Sequence, residues 1–98
     1  MAQYELLLKN ARVADYLSDI DGKYDVAVSG GGIALVEENI DPGLADRVVD
    51  LAGLTVLPGI VDLHVHTSSP NGFRMLTRAG VTTALDCGGP MGGFLGQL

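Results

Sequence analysis

Val56-Leu57-Pro58-Gly59-Ile60-Val61-Asp62-Leu63-His64-Val65-His66-Thr67 marks where one kind of chain gives way to another. Pro58-Gly59 ends the texture that precedes it, and Ile60 to His66 then runs as one strand of β-branched and apolar residues. Side chains alternate along a strand, so Asp62, His64 and His66 share a face. Both histidines fall at the C-terminal end of the strand, where sites assemble in barrel and doubly wound α/β folds. Two imidazoles at i and i+2 sit close enough to share one metal ion, and neutral imidazole suits Zn, Fe, Ni and Mn. The bland alternatives are a pair of surface histidines or a satisfied core pair. The apolar flanks are expected to bury the strand, where an unpaired histidine pair would be costly and a metal would offset that cost.

Outward from this strand, Thr67 to Gly72 reads as a loop. Phe73, Met75, Leu76 and Ala79 then have helical spacing, and Gly80 is a stop signal. Val81 to Asp86 is a further strand, so the order is that of a parallel βαβ unit. Upstream, short strands and turns alternate. A strand is expected at Glu5–Lys9, a turn at Asn10 and a second strand near Arg12–Ala14. Asp21-Gly22 reads as a loop or hairpin turn. Tyr24–Val28 and Ile33–Val36 form a hairpin around Gly30-Gly31-Gly32. That glycine run lacks the frame of a phosphate cradle, and a turn needing positive φ is the better reading. Glu37 to Asp46 is an acidic loop, followed by strands at Arg47–Leu51 and Leu54–Leu57. The chain thus divides into residues 1–57 and residues 58–98. The tail from Cys87 holds five glycines in 12 residues and reads as a loop.

Composition narrows the function classes. With 98 residues, 47% hydrophobic and 18% charged, the chain is globular and holds one domain's worth of sequence at most. A net charge of -6 argues against a nucleic-acid backbone as partner, and no basic amphipathic stripe favours a membrane surface. The longest apolar stretch, Leu51 to Val61, is too short and broken to span a bilayer. Cys87 is the single cysteine, and no signal peptide is recognised. A cytoplasmic protein is the expectation.

The quoted stretch resembles the signature of the amidohydrolase superfamily, which includes dihydroorotases, hydantoinases, adenine deaminases and related deacetylases. Gly80-Val81-Thr82-Thr83-Ala84-Leu85-Asp86 resembles the second barrel strand of that group, and the first 50 residues resemble its β-sandwich leader. The resemblance implies a β-sandwich leader over residues 1–57 and the first βαβ piece of a TIM (β/α)8 barrel over residues 58–98. It implies that His64 and His66 are metal ligands, that the divalent metal is zinc, with one or two ions, and that Asp62 is a structural or orienting residue. Hydrolysis of a C–N amide, cyclic amide or related acyl bond in a small-molecule substrate would follow.

Beside the match stands a departure. No His follows His66, no Lys follows Lys23, and Asp86 does not occupy the family's catalytic position, so no catalytic residue is assigned within this chain. Catalytic zinc takes three protein ligands plus water, and a barrel of this type needs roughly 250 residues. The expectation is therefore an N-terminal fragment inactive alone. The alternative is a truncated or split chain that forms a homo-oligomer or complements a partner through exposed strand edges. Thr67 and Cys87 are further candidates for lining the site.

Overall fold

A computed structural model of the protein describes residues 2–67 and 69–88. The chain forms two compact units, Met1–Pro58 and a second beginning at Gly59. In the first, all strands join one five-stranded sheet, with β1 (Tyr4–Asp15) at its centre. Antiparallel to β1 runs β2 (Ile20–Ser29), which pairs in turn with β3 (Gly32–Glu37). On the other side, β4 (Ala45–Asp50) and the two-residue β5 (Thr55–Val56) lie parallel to successive halves of β1. Gly30 and Gly31, at φ 62° and 77°, make the β2–β3 turn that the glycine run implied.

Two expectations for this unit are corrected. Asn10 does not start a turn. It lies in a β-bulge within a continuous β1, where the pairing slips between Leu8 and Ala11 and Asn10 takes a φ of 67°. Nor is Asp21-Gly22 the hairpin turn. Both lie in β2, and the bend is at Tyr16–Asp19, where Asp15 accepts the Leu17 N–H and the Ser18 hydroxyl. Gly22 is there because the Tyr24 ring lies over it, with Cε2 3.0 Å from where a Cβ would stand.

The bulge swaps the parity of β1, so the sheet buries apolar side chains in two clusters. Leu7, fully buried, packs with Tyr4, Ala27 and Ile40. Ala11, Val13 and Val26 form the other cluster, flanked by Leu8, Tyr24 and Val56. Asp25 sits at the bulge itself. It accepts from Lys9 Nζ at 2.6 Å and from the backbone N–H groups of Asn10 and Ile40 at 2.8 and 2.9 Å. Lys9 Nζ also donates to the Ile40 carbonyl at 2.9 Å. Burial alone would raise the Asp25 pKa; the Ile40 N–H, the Lys9 ammonium and the Asn10 N–H outweigh it, and the net shift is downward.

In the second unit β6 (Ile60–Val65), α1 (Pro70–Arg78) and β7 (Val81–Asp86) follow in the expected order. The β6–β7 pair is parallel. The helix starts earlier than its apolar spacing suggested: Ser69 Oγ caps it by accepting the Gly72 N–H at 3.1 Å, and Pro70 opens it. Gly80, at φ 90°, ends it and passes its carbonyl to the Ile60 N–H at 2.9 Å. The glycine of the Pro58-Gly59 motif has a steric reason, since any Cβ at Gly59 would overlap the Thr82 side chain. Among the described residues no helix is long and apolar enough to cross a membrane.

Candidate metal centre

Strand β6 carries His64, and His66 follows its last residue, so that the two imidazoles come to a common point. His64 Nε2 and His66 Nε2 lie 3.0 Å apart, with ring centroids 5.0 Å apart and planes inclined by 62°. The β6–β7 register is irregular between Asp62 and Val65. At that irregularity Asp62 Oδ1 accepts the His64 N–H at 3.0 Å. Asp62 thus fastens the backbone that bears His64.

The expected burial of this strand is not found. His64 and His66 are exposed, and so are Ile60, Val61 and Leu63, the last at 70%. With two strands in this sheet, apolar flanks do not enclose the imidazoles. Burial therefore does not support the metal reading, and convergence of the rings does. Two neutral imidazoles facing through Nε2 satisfy each other only if their tautomers differ. As a donor set they fit a borderline-soft divalent ion such as zinc, supplying two of its ligands. Among the described residues, no group of three or more His, Cys, Asp or Glu side chains is placed to hold a metal.

The remaining candidates divide. Thr67 follows His66 directly, and its Oγ1 is buried without a hydrogen-bond partner; a Cβ on Gly72 would overlap it. Cys87 is exposed, and its Sγ turns to the backbone carbonyls of Leu63 and Leu85 at 3.6 and 3.7 Å. Its N–H ties to the Val65 carbonyl at 2.9 Å, so the chain leaving β7 runs beside the end of β6. Of the glycine-rich tail, residues 89–98 lie outside the described residues.

One close approach escaped the sequence reading. Gly88 passes the edge of the His66 ring, its would-be Cβ 3.3 Å from Nδ1 and 3.4 Å from Cε1. A strand followed by glycine was the available signal, but only the fold shows which ring the glycine meets.

Comparison with known proteins adds to this geometry. No family model matches the chain. A dihydroorotase from Streptococcus thermophilus (strain CNRZ 1066) is 49% identical over 65 residues, covering 66% of this chain and 15% of that protein. An allantoinase from Desulfitobacterium hafniense (strain Y51) is 42% identical over 94 residues, covering 96% of this chain and 20% of that protein. The chain therefore spans a fifth or less of these relatives' lengths. Among solved structures, the L-hydantoinase (dihydropyrimidinase) from Arthrobacter aurescens superposes with a TM-score of 0.67 at 27% identity, over 85% of this chain and 20% of that one. With the Pro-Gly-x-x-Asp-x-His-x-His stretch and its converging imidazoles, these likenesses show that the chain belongs to the amidohydrolase superfamily, matching an N-terminal portion of it.

Proposed function

We propose that this chain supplies the first two ligands, His64 and His66, of the metal centre of a cytoplasmic metal-dependent amidohydrolase. The bond cleaved is the C–N bond of an amide, most naturally a cyclic one, in a small-molecule substrate. The observation that carries this reading is the approach of the two Nε2 atoms to 3.0 Å on an exposed strand end. The names of the similar proteins, dihydroorotase, allantoinase and hydantoinase, support the cyclic amide.

Within this reading the first unit is one layer of a β-sandwich leader, and β6–α1–β7 is the first βαβ piece of a (β/α)8 barrel. What zinc supplies when bound at such a site is a polarised scissile carbonyl and water acidic enough to attack it at neutral pH. His64 and His66 orient their Nε2 lone pairs toward one point. Asp62 holds the His64 backbone by accepting its N–H. The β7 exit at Cys87 lines the approach, and Thr67 stands next to His66 with its Oγ1 turned inward. The 98 residues are inactive alone, because two imidazoles leave a catalytic ion short of a third protein ligand and supply no general base.

Equilibrium dialysis of the chain against zinc tests the ligand assignment. Zinc retention that the double variant His64→Ala/His66→Ala abolishes is expected. Equal retention by both proteins would overturn it. Hydrolysis of a dihydropyrimidine by the bare chain would overturn its inactivity.

A second reading rests on a different observation. Ile60, Val61, Leu63 and Leu85 are all more than half exposed on a two-stranded sheet. Such strands pair with other chains when their edges stay open, so the chain would act as an oligomer or a complementing piece. A monomeric mass across a hundredfold concentration range in size-exclusion light scattering would sink that reading.

A further inference from the structure

The His64 ring has one visible constraint at its backbone, through Asp62, whereas His66 lies beyond the last residue of β6. Its ring needs another support if Nε2 is to stay aimed at His64. The chain leaving β7 offers one. A Cβ built on Gly88 would stand 3.3 Å from Nδ1 and 3.4 Å from Cε1, the edge adjacent to Nε2, so the bare glycine leaves that edge room a side chain would contest. Gly88 is itself held, because its N–H donates to Asp86 Oδ1 at 3.0 Å. The residue between them is tied to β6 by the Cys87 N–H to Val65 carbonyl bond at 2.9 Å. Strand end, carboxylate and bare backbone thus form one small structure with the ring as its neighbour.

We propose that Asp86 holds the bare Gly88 beside the His66 ring so that no side chain displaces the ring, making both of them positioning residues for the metal centre. The inference rests on the reading of His64 and His66 as ligands. Asp86 folds the chain back by accepting the Gly88 N–H, which sets the bare Gly88 beside the ring edge. Glycine suits the position because a Cβ at 3.3 Å from Nδ1 would crowd the ring by a few tenths of an ångström. A shift of that size uses up much of the roughly 0.5 Å within which a binding constellation must be held. The acidic residue at the end of β7 thereby gains a role without being a ligand.

The test uses the whole 98-residue chain, labelled for NMR, with variants Gly88→Ala, Asp86→Ala and Asp86→Asn. Gly32→Ala serves as a control, since nothing lies within 4 Å of a Cβ there. Without metal, a nuclear Overhauser contact between Gly88 Hα and His66 Hε1 is expected in the wild type and in Asp86→Asn, which keeps the acceptor oxygen. It should vanish in Asp86→Ala. In Gly88→Ala the His66 ring resonances should move while the amide resonances of residues 4–56 stay in place. Zinc titration by calorimetry should show about a tenfold weaker Kd in Gly88→Ala and Asp86→Ala, the size of effect known for outer partners of ligating histidines. Asp86→Asn and Gly32→Ala should bind as the wild type does.

Absence of the wild-type contact overturns the proposal. So does an unchanged His66 ring and zinc affinity in both Asp86→Ala and Gly88→Ala. If the wild type takes up no zinc, the ligand assignment fails, and the metal-free contact still decides whether Asp86 and Gly88 set the ring. If Gly88→Ala fails to fold, the Asp86→Ala and Asp86→Asn pair decides alone.

Discussion

Each unit of this chain contains a close pair of ionisable side chains, and the two pairs are built on opposite terms. Lys9 and Asp25 meet at 2.6 Å with Asp25 only 1% exposed; two backbone N–H groups also donate to Asp25, and Lys9 also donates to the Ile40 carbonyl and to Asn39 Oδ1. His64 and His66 meet at 3.0 Å on an exposed strand end, like atom facing like atom. The first pair is complementary, enclosed and held from several sides, which suits it to fastening a bulge. The second joins two like groups at an exposed strand end, and what each ring donates or accepts there turns on its tautomer. Chemical identity alone does not tell the two kinds of pair apart; enclosure and the number of partners do.

The largest expected effect breaks the enclosed pair. Asp25→Ala leaves the Lys9 ammonium with a single strong acceptor, the Ile40 carbonyl, and strips the Asn10 and Ile40 N–H groups of theirs. Removing one partner of a buried pair costs about 3–5 kcal/mol, which should lower the urea midpoint of the first unit steeply or unfold it. Acid should act on the same group. The folded-state pKa of Asp25 lies below its unfolded value, so its contribution is complete above the unfolded pKa, roughly 3.9. It is lost as pH falls from there through the folded value. Circular dichroism of the first unit should show this acid loss in the wild type. Asp25→Asn, which cannot titrate, should flatten that part of the profile; an unchanged slope would show that other carboxylates govern it.

A smaller effect is expected at the bulge residue next to that pair. Asn10 adopts a left-handed backbone and donates from Nδ2 to Asp50 at 3.1 Å. Asn10→Val places a β-branched residue there, at a cost of about 1–2 kcal/mol. Asn10→Gly should stay close to wild type because glycine accepts that φ freely. Equal losses in the two variants would mean that the Asp50 bond, not the backbone, sets the preference for asparagine.

These residues show where sequence reading succeeds and where it stops. Strand β6, strand β7 and the Gly80 stop were legible because each is written in a local pattern of apolar spacing and one glycine. The shared face of His64 and His66 follows from strand alternation alone. The bulge was not legible. Lys9-Asn10 reads locally as a polar break, and its reason for lying inside a strand is Asp25, 16 residues away. Asp21-Gly22 misled for a related reason, since Gly22 serves the Tyr24 ring and Asp21 takes the Arg12 guanidinium in a bidentate pair. Apolar composition in β6 suggested a burial that two strands cannot provide. The Gly88 approach to His66 joins the ends of two strands across a helix, and no local pattern encodes it.

Loss of the exposed pair should cost the metal-free fold least. In the absence of metal, His64→Ala with His66→Ala removes two exposed side chains whose close side-chain partner, among the described residues, is each other. Exposed substitutions of this kind change stability by no more than about 0.5 kcal/mol. Thermal or urea unfolding of the metal-free double variant should therefore overlay the wild type. Adding zinc should separate the curves: the wild type gains RT ln(1 + [Zn]/Kd), about 2.7 kcal/mol at a hundredfold excess over Kd, and the variant gains nothing. A large metal-free loss would mean that the imidazoles fasten the strand end as Lys9 and Asp25 fasten the bulge, and the contrast between the two pairs would collapse. Overlaid metal-free curves that part only with zinc would show that close placement of the rings serves what they bind and not the fold that carries them.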